Sequence, residues 1–391
     1  MNKLKNLLKK KKRKVMGLIS GTSADGIDAC LVQIDRIGLK LKVKELGFKT
    51  YPFAYDLKKK ILQISNPGFQ NLDEALRMNM VMGEYFARAA LSLLRELRYK
   101  PEQIDLIGSH GQTIRHLPQE VLRFKKRVKA TFQIGEASVI AQRMGIVTVG
   151  DFRTSDVASG GEGAPLVPLG HFFLFNSKTH SQLVLNLGGI ANFTVLPKNC
   201  ELKDVWGFDT GPCNVLLDNL TRRLFKKKFD QDGKIAFRGK VNDNLLKKLI
   251  RHRYFRSSPP KSTGREDFGE MFLKIILRSN IPPEDKMATS SELVVWSIRD
   301  AYRRFVKSHH KINRLIVCGG GAHNKYLLKK ISEQFSPMEV IISDKLGYNP
   351  DAVEALIFAL LANQTIDELP GGLKKVTGAH KNTILGKICL P

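Results

Sequence analysis

Apolar and polar positions in the first half of the chain follow the pattern of a meander of strands and then of alternating helices and strands. Residues 15–19 and 27–34 are apolar on either side of a turn-rich segment, and Leu39, Leu41 and Val43 then alternate with lysines. This period of two predicts a half-exposed third strand. The pattern then predicts a helix over about 71–97, a strand over 104–107, a helix over 137–144 and a strand over 146–149. The predicted order is βββαβαβ.

The second half of the chain repeats this order. The pattern predicts strands at 182–187, 192–196, 204–208, 315–318 and 340–343, and helices at 214–224, 292–306, 325–335 and 352–362. Residues 225–290 and 364–391 fit the repeat less well, so we interpret them as an insertion and a C-terminal return segment. Strands that alternate with helices after a meander predict an α/β fold.

The duplicated unit resembles the actin-like (ribonuclease H-like) superfamily, in which two such domains surround a nucleotide cleft. The resemblance predicts domain I over 15–148 with 364–391, and domain II over 149–363. A basic N-terminal tail over 1–14 precedes them and contains the densest run of positive charge. We expect a frayed tail there, and an arm that contacts phosphate or lipid is the alternative.

Composition narrows the possible partners and the compartment. The formal net charge is +27, but the lysines are spread along the chain without an aromatic-interleaved basic face, so we expect no nucleic-acid or membrane partner. No apolar run approaches the roughly 20 residues that cross a bilayer. The five cysteines form no C-x-x-C pair, no metal-ligand spacing with histidine and no even set, which predicts reduced thiols and a cytoplasmic protein.

The first candidate site is the turn after the first strand. Small and hydroxyl residues there would let backbone N–H groups approach a phosphate, and two aspartates could hold a hydrated magnesium ion. The alternative is an ordinary hairpin turn with a capping aspartate. The predicted ATP-binding residues are Gly21, Thr22, Ser23, Ala24, Asp25, Gly26, Ile27 and Asp28, of which Asp25 and Asp28 are the metal candidates.

Two further motifs lie in the second half. Asp209 ends a predicted strand just before a helix, where its carboxylate can act as a base while the helix N-terminus supplies free N–H groups to a phosphate. Asp209 as a helix cap is the alternative. The triple glycine at 319–321 follows a buried strand and suits a flat base, or is only a flexible turn. Polar-glycine clusters at 109–116 and 160–165 could be structural loops. His110 and His116 in the first cluster lack the cysteine and histidine spacing of a zinc site, so we expect no metal role for them.

Taken together, these motifs resemble the anhydro-N-acetylmuramic acid kinases over residues 17–386. The segments that carry the resemblance are Ser20-Gly21-Thr22-Ser23, Asp25-Gly26 with Asp28, residues 108–113, Asp151-Phe152-Arg153 with Asp156, residues 160–168, 186–192, 208–212, 260–266 and 318–321. Their order along the chain makes the resemblance specific.

The resemblance implies an ATP-dependent reaction with Mg²⁺ in peptidoglycan recycling. Water opens the 1,6-anhydro bond of 1,6-anhydro-N-acetylmuramic acid while O6 takes the γ-phosphoryl group, giving N-acetylmuramic acid 6-phosphate and ADP. Asp209 matches the catalytic base that activates the water, and the family suggests a homodimer. The resemblance places the sugar at His110, Gln112, Arg153 and Glu354, and adds Gly188, Gly189, Asn192, Gly211, Gly319, Gly320, Gly321 and Asn324 to the ATP-binding residues.

Three departures from the family pattern bear on substrate affinity. Glu162 stands where glutamine is usual, Cys213 replaces a common glycine, and Thr154-Ser155 stand where some relatives carry arginines. Two alternatives stay open: a kinase of this fold that phosphorylates another sugar or a carboxylate, and a non-catalytic polyanion-binding protein.

Overall fold

The computed structural model describes residues 2–37 and 40–391, so the predicted strand position Leu39 lies outside the described residues. The strands are β1 Lys12–Ser20, β2 Gly26–Ile37, β3 Lys40–Pro52, β4 Leu106–Arg123, β5 Lys126–Ile134, β6 Thr148–Gly150, β7 Gln182–Leu187, β8 Ile190–Leu196, β9 Trp206–Pro212, β10 Arg314–Cys318, β11 Glu339–Ile342 and β12 Lys387–Cys389. The helices are α1 Asn2–Lys9, α2 Tyr55–Ile64, α3 Leu72–Glu96, α4 Ala137–Met144, α5 Phe152–Ala158, α6 Val167–Phe175, α7 Asn214–Phe225, α8 Asp243–Leu249, α9 Arg265–Phe268, α10 Glu270–Leu277, α11 Pro283–Ala301, α12 Lys325–Phe335, α13 Val353–Ile366 and α14 Lys374–Thr377. Among these, none has the length and hydropathy that a bilayer crossing needs.

The chain forms two compact units. Unit 1 comprises the residues up to Leu174 together with Ala352–Pro391, and unit 2 comprises Phe175–Asp351. These boundaries differ from the predicted ones, because α5 and most of α6 lie in unit 1 and because α13 packs on β1, β4 and β2 of the first sheet. Burial against a sheet, which a change in sequence composition does not reveal, decides where a helix belongs.

Unit 1 is built on a mixed sheet in the order β12-β6-β4-β1-β2-β3, with β5 paired to β4. The antiparallel β1–β2–β3 meander and the helix α3 match the prediction. The strand β4 is much longer than the predicted 104–107, and β5 was not predicted. The outer parts of this hairpin are largely exposed, so its sequence lacks the burial pattern that would have marked it as a strand pair.

Two glycines bring α13 close to this sheet. A Cβ at Gly17 would lie 1.8 Å from the carbonyl oxygen of Ala355, and a Cβ at Gly108 would lie 2.2 Å from that of Phe358. Because β1 and β4 pair directly at these two positions, the missing side chains form one flat patch on which the helix rests. The helix begins at Val353, so this contact fixes the position of its first turn.

Unit 2 contains a sheet in the order β11-β10-β7-β8-β9, in which β7, β8 and β9 are antiparallel and β10 is parallel to both β7 and β11. Its core joins the sheet to α7, α11 and α12. The helix α11 begins nine residues before the predicted start, because Pro283 opens it and two acidic residues follow in its first turn. The α/β class is as predicted.

The N-terminal segment differs from the predicted frayed tail. Residues Asn2–Lys9 are helical, and Leu7 is buried. The buried Arg13 ties the segment to the fold, since its guanidinium donates to the carbonyl oxygen of Leu7 and pairs with Asp367 at 2.8 Å. Leucines at helical spacing give this segment one apolar face. The prediction of a frayed tail considered the lysines of the segment and not these leucines.

Candidate active site

The turn between β1 and β2 is closed from the inside by Gln112. Ser20 Oγ lies 2.8 Å from the carbonyl oxygen of Gly26 and 2.6 Å from Oε1 of Gln112, so its one O–H can donate to either oxygen. The amide nitrogen of Gln112 in turn donates to the carbonyl oxygen of Gly21 at 3.2 Å. Gln112 is buried, so its structural role in unit 1 is to hold the shape of this turn.

The backbone of the turn has one crowded side and one open side. A Cβ at Gly26 would come within 2.4 Å of the carbonyl oxygen of Tyr51, whereas a Cβ at Gly21 would meet no atom within 4 Å. Thr22 is exposed, Ser23 is half-buried, and Ala24 adopts a positive φ of 50°. Ile27 is buried in the core of unit 1. The open side at Gly21–Ser23 is where a phosphate can approach.

The two metal candidates have different environments. Asp25 is about half exposed and pairs with Lys58, while Asp28 accepts a hydrogen bond of 2.6 Å from the hydroxyl of Thr50. Across residues 2–37 and 40–391, no group of three or more histidine, cysteine, aspartate or glutamate side chains could hold a metal ion. A magnesium ion in unit 1 would therefore depend on phosphate and water ligands, with Asp25 the more accessible carboxylate.

His110 and Arg153 form a hydrogen-bonded pair. The guanidinium of Arg153 donates from Nε to His110 Nε2 at 2.9 Å and from its terminal nitrogen to the carbonyl oxygen of Gly163 at 2.7 Å. His110 Nδ1 lies 3.0 Å from the carbonyl oxygen of Gly111. Burial, followed by the charge of Arg153, holds the pKa of His110 well below its usual value. The imidazole is therefore neutral at pH 7, with Nε2 the acceptor and Nδ1–H the donor.

The loop at 160–165 is hydrogen-bonded to Arg153 and to Asp156. Asp156 is fully buried, where it accepts from the backbone N–H of Gly163 at 2.8 Å and from the hydroxyl of Thr377 at 2.7 Å. A Cβ at Gly161 would lie 2.1 Å from an Asp156 carboxylate oxygen. Burial raises the pKa of Asp156, and these hydrogen bonds and Arg153 oppose that rise. Arg153 and Asp156 thus hold the conformation of the loop through their hydrogen bonds to the backbone of Gly163.

In unit 2, Asp209 lies inside β9 rather than at its end. It is cross-strand from Asn192 on β8, which is itself cross-strand from Asn186 on β7. Directly opposite residues of antiparallel strands point to one face, so the three side chains form a polar row across the sheet. The register shifts beside this pair, leaving Thr210 as the extra residue of a β-bulge. The bulge allows Asp209 and the following glycine to depart from strict alternation.

Asp209 is held at its backbone and at its carboxylate. Its Oδ2 accepts from the backbone N–H of Thr263 at 3.0 Å, and its carbonyl oxygen accepts from the hydroxyl of Tyr254 at 2.6 Å. The carboxylate retains a small exposed fraction, 8% for the residue. Beside it, the side-chain oxygen of Asn192 is buried and has no hydrogen-bond partner within the described part of the chain. An oriented acceptor and a carboxylate side by side suit a water molecule that must lose a proton.

The loops after β7, β9 and β10 meet at one edge of this sheet. Gly319 has a φ of 81°, and a Cβ there would lie 2.3 Å from Oδ1 of Asn186. A Cβ at Gly321 would contact Leu187 at 2.6 Å, whereas Gly320 is exposed. The Asn324 side chain caps α12 by accepting from Leu327 N–H. Gly320 thus offers its backbone to a ligand, while its two glycine neighbours make the close packing possible.

The predicted free N–H groups at the start of α7 are not free. The N–H groups of Cys213 and Val215 donate to the carbonyl oxygen of Gly189, and that of Asn214 donates to the carbonyl oxygen of Gly188. The turn after β7 therefore caps the helix through its backbone, so the predicted phosphate site at this helix end is wrong. A Cβ at Gly211 would lie 3.0 Å from Phe255 and Ser297, so that position serves packing.

A cavity of about 500 Å³ lies in unit 2 next to the glycine loop. Its lining combines an aromatic ring with polar side chains. The lining residues are His323, Ile342, Asp344, Gly347, Tyr348, Asn349 and Pro350. This lining comes from two separate loops, so the sequence pattern marks the glycines but not the cavity beside them.

A family model described as anhydro-N-acetylmuramic acid kinase matches residues 13–391. Proteins named anhydro-N-acetylmuramic acid kinase from Caldanaerobacter subterraneus subsp. tengcongensis and Salinibacter ruber are 42% and 40% identical to this chain, with 100% of each chain covered. One from Clostridioides difficile is 39% identical over 95% of this chain and 97% of its own. This chain belongs to the anhydro-N-acetylmuramic acid kinase family.

Two solved structures have a partly similar backbone arrangement to this chain. The activator of the 2-hydroxyisocaproyl-CoA dehydratase from Clostridium difficile with bound ADPNP is 15% identical, covers 91% of this chain and 96% of its own, and has a TM-score of 0.43. The ROK hexokinase from Thermus thermophilus is 14% identical over 89% of this chain and 99% of its own, with a TM-score of 0.33. The family assignment rests on the sequence relatives rather than on these structures.

The three departures from the family pattern lie at well-defined places. Cys213 is fully buried at the N-cap of α7. Glu162 is half-buried, and its backbone N–H donates to the carbonyl oxygen of Thr377. Thr154 donates its hydroxyl to Asp151, so it closes the first turn of α5.

Glu354 was assigned to the sugar, and it lies in the first turn of α13. The next residue, Ala355, is the one that rests on Gly17. The contact of α13 with the glycine patch therefore also fixes the position of the Glu354 backbone relative to β1.

Proposed function

We propose that this protein is an ATP-dependent kinase that hydrolytically opens 1,6-anhydro-N-acetylmuramic acid and phosphorylates its O6. The products are N-acetylmuramic acid 6-phosphate and ADP, which is a step of peptidoglycan recycling. Family membership supports the reaction class. The observation that carries the proposal is the buried Asp209 beside the unpartnered oxygen of Asn192, on the sheet edge where the glycine loops converge.

Asp209 is the proposed catalytic base. Its carboxylate accepts one proton of a water molecule while the water oxygen forms a bond to the anomeric carbon. The bond between that carbon and O6 breaks, and O6 forms a bond to the γ-phosphorus as the bond to ADP breaks. O6 leaves as an oxyanion, so the phosphoryl transfer needs no second base. The Thr263 N–H donates to Oδ2 and so restricts the carboxylate to one orientation, in which it is proposed to accept the proton of the water.

ATP is the proposed second substrate, and each unit offers groups for it. In unit 1 the open backbone at Gly21–Ser23 suits phosphate, with the turn held rigid by Ser20 and Gln112. In unit 2 the exposed Gly320 and the adjoining cavity suit the nucleoside. We assign Asn324 and Gly211 to the framework of the site rather than to ATP, because both are engaged in packing or capping.

Mg²⁺ is proposed to accompany ATP, where it would neutralise charge on the β- and γ-phosphate oxygens. Asp25 is the carboxylate of unit 1 that can reach a hydrated ion, because Asp28 lies on the strand and is already hydrogen-bonded to Thr50. Its contact with Lys58 would have to open for that purpose.

The sugar is proposed to contact the His110–Arg153 pair and Glu354. Both the neutral imidazole and the guanidinium are fixed by hydrogen bonds, so they can recognise polar groups without a loss of side-chain entropy. Gln112 is proposed to act indirectly, through the shape of the phosphate turn. A cytoplasmic location and a homodimer complete the proposal and are supported by the family resemblance.

The test is ADP release from MgATP by the purified protein, with and without 1,6-anhydro-N-acetylmuramic acid, followed by mass analysis of the sugar. We expect release only with the anhydro sugar and a product heavier by one water and one phosphoryl group. In H₂¹⁸O the label should enter the sugar hydroxyl at the anomeric carbon and not the phosphate. Release with an open-ring sugar alone, or with a carboxylate acceptor, would instead identify a kinase of other specificity.

A further inference from the structure

A buried lysine with three aromatic rings around its ammonium group lies beside the proposed base. Lys261 is only 8% exposed, and its ammonium nitrogen lies 4.6 Å from the ring centre of Tyr254, 5.4 Å from that of Phe305 and 5.9 Å from that of Phe208. The charged side chains that act on this ammonium group are Arg304, Asp300 and Asp209. A buried ammonium is costly, and three aromatic faces offset part of that cost.

The backbone of the same segment contacts Asp209 on both sides. The carbonyl oxygen of Lys261 accepts from the N–H of Asp209 at 3.2 Å, and the N–H of Thr263, two residues on, donates to the carboxylate. Tyr254, one of the three rings around the ammonium, donates its hydroxyl to the Asp209 carbonyl oxygen. Two of these contacts to Asp209 thus come from the segment that contains Lys261, and the third comes from a ring that contacts its ammonium group.

We propose that Lys261 is a positioning residue for Asp209. Its ammonium group, held by three aromatic rings, fixes the 261–263 segment against the base and favours the ionised carboxylate. The inference rests on the proposed function, because it assigns the lysine to the reaction in which Asp209 takes a proton.

The charges around Lys261 determine how this works. Burial and then the charge of Arg304 lower the pKa of Lys261 to about 8, against the opposing effects of Asp300 and Asp209. The interaction with Asp209 is reciprocal, so a positive charge on Lys261 stabilises the Asp209 carboxylate. Lys261 is thus an ammonium at pH 7 and loses its proton as the pH rises through about 8. The charge that holds the segment should disappear over that range.

The first experiment is a pH–rate profile of ADP release for the wild type, Lys261→Arg and Lys261→Met. The wild-type kcat should fall as the pH rises through about 8, whereas the arginine variant should show no such fall before about pH 10 because its charge persists. The methionine variant should lose roughly 10–100-fold in kcat at pH 7 with the KM for ATP unchanged. Lys286→Met is the matched control, since Lys286 is equally buried in unit 2 but donates to the Leu277 carbonyl oxygen, and it should retain the wild-type profile.

A wild-type alkaline fall that persists unchanged in both Lys261 variants would overturn the inference, even with the kinase reaction established. A second measurement does not depend on turnover. The Nζ signal of Lys261 in ¹⁵N-lysine-labelled protein, assigned by its loss in Lys261→Arg, is titrated in the wild type and in Asp209→Asn. Removal of the carboxylate charge should lower the Lys261 pKa by roughly half a unit or more. An unchanged titration would refute the coupling, whereas absent ADP release from the wild type would refute the proposed function alone.

Discussion

Gly17→Ala tests whether the glycine patch under α13 positions the site in unit 1. The new Cβ would lie 1.8 Å from the carbonyl oxygen of Ala355, whereas ordinary contact begins at 3.4 Å. The helix must therefore move away from β1 by about 1.6 Å, because the atom it meets is backbone and cannot rotate aside. Glu354 lies in the first turn of that helix and moves with it.

The magnitude follows from overpacking of a rigid contact. Overpacked cores lose about 1–3 kcal/mol, and a backbone contact belongs at the upper end of that range, which gives a loss of about 3 kcal/mol in the free energy of unfolding. A displacement of more than 1 Å in a group that orients substrate costs on the order of 100-fold in turnover. Urea unfolding followed by circular dichroism measures the first quantity, and ADP release with the anhydro sugar measures the second.

Gly21→Ala is the control for stability, because a Cβ there meets nothing within 4 Å. It should change the free energy of unfolding by less than about 0.5 kcal/mol. If Gly17→Ala proved as stable as this control and kept full turnover, the reasoning from helix contact to Glu354 would be refuted.

Three further predictions follow from the same structure. Asp209→Asn should keep its hydrogen bond from Thr263 and its affinity for ATP but lose roughly 10²–10⁴-fold in kcat, and retained turnover would remove Asp209 as the base. Stability should fall below pH 6.5 by up to about 1.4 kcal/mol per pH unit for each of three histidines, of which His110 and His171 are buried and His116 is half-buried. The pKa values of His116 and His171 are lowered to about 3, and that of His110 is also lowered, so the unfolded chain binds their protons first. Denaturant titrations at pH 7.5, 6.5 and 5.5 measure this slope, and a flat response between pH 6.5 and 5.5 would contradict the assigned burial. A thiol reagent at pH 8 should label Cys389 and leave the four buried cysteines unmodified in native protein, as mass analysis after brief exposure would reveal.

Local patterns predicted the elements whose burial is regular. The helix over 325–335 was predicted to the residue, because its apolar positions recur at helical spacing and Asn324 caps it. The β4–β5 hairpin was not predicted beyond its first residues, because its outer part lies largely outside the core and carries no burial signal. The bulge at Thr210 was likewise invisible, since a register shift depends on the partner strand.

The candidate site divides in the same way. The sequence predicted Asp209, the turn after β1 and the glycine loop as parts of the site from residue type and position alone, and these assignments stay predictions. It assigned free N–H groups to the start of α7, but the turn at Gly188–Gly189, about 25 residues away along the chain, already uses them. It also predicted Gln112 as a sugar ligand, which stays a prediction, while the fold adds contacts of this side chain with Ser20 and Gly21 in the turn after β1.

The sequence by itself determined the α/β class, the repeated strand and helix order and the family, because these depend on local periodicity and on motifs read in order. Tertiary structure alone decided which groups are free to act. The neighbours that a carboxylate or an ammonium group contacts come from other segments of the chain, as with Thr263 on Asp209 and Tyr254 on Lys261. Hydrogen bonds and desolvation act through space, so no spacing of residues in the sequence encodes them.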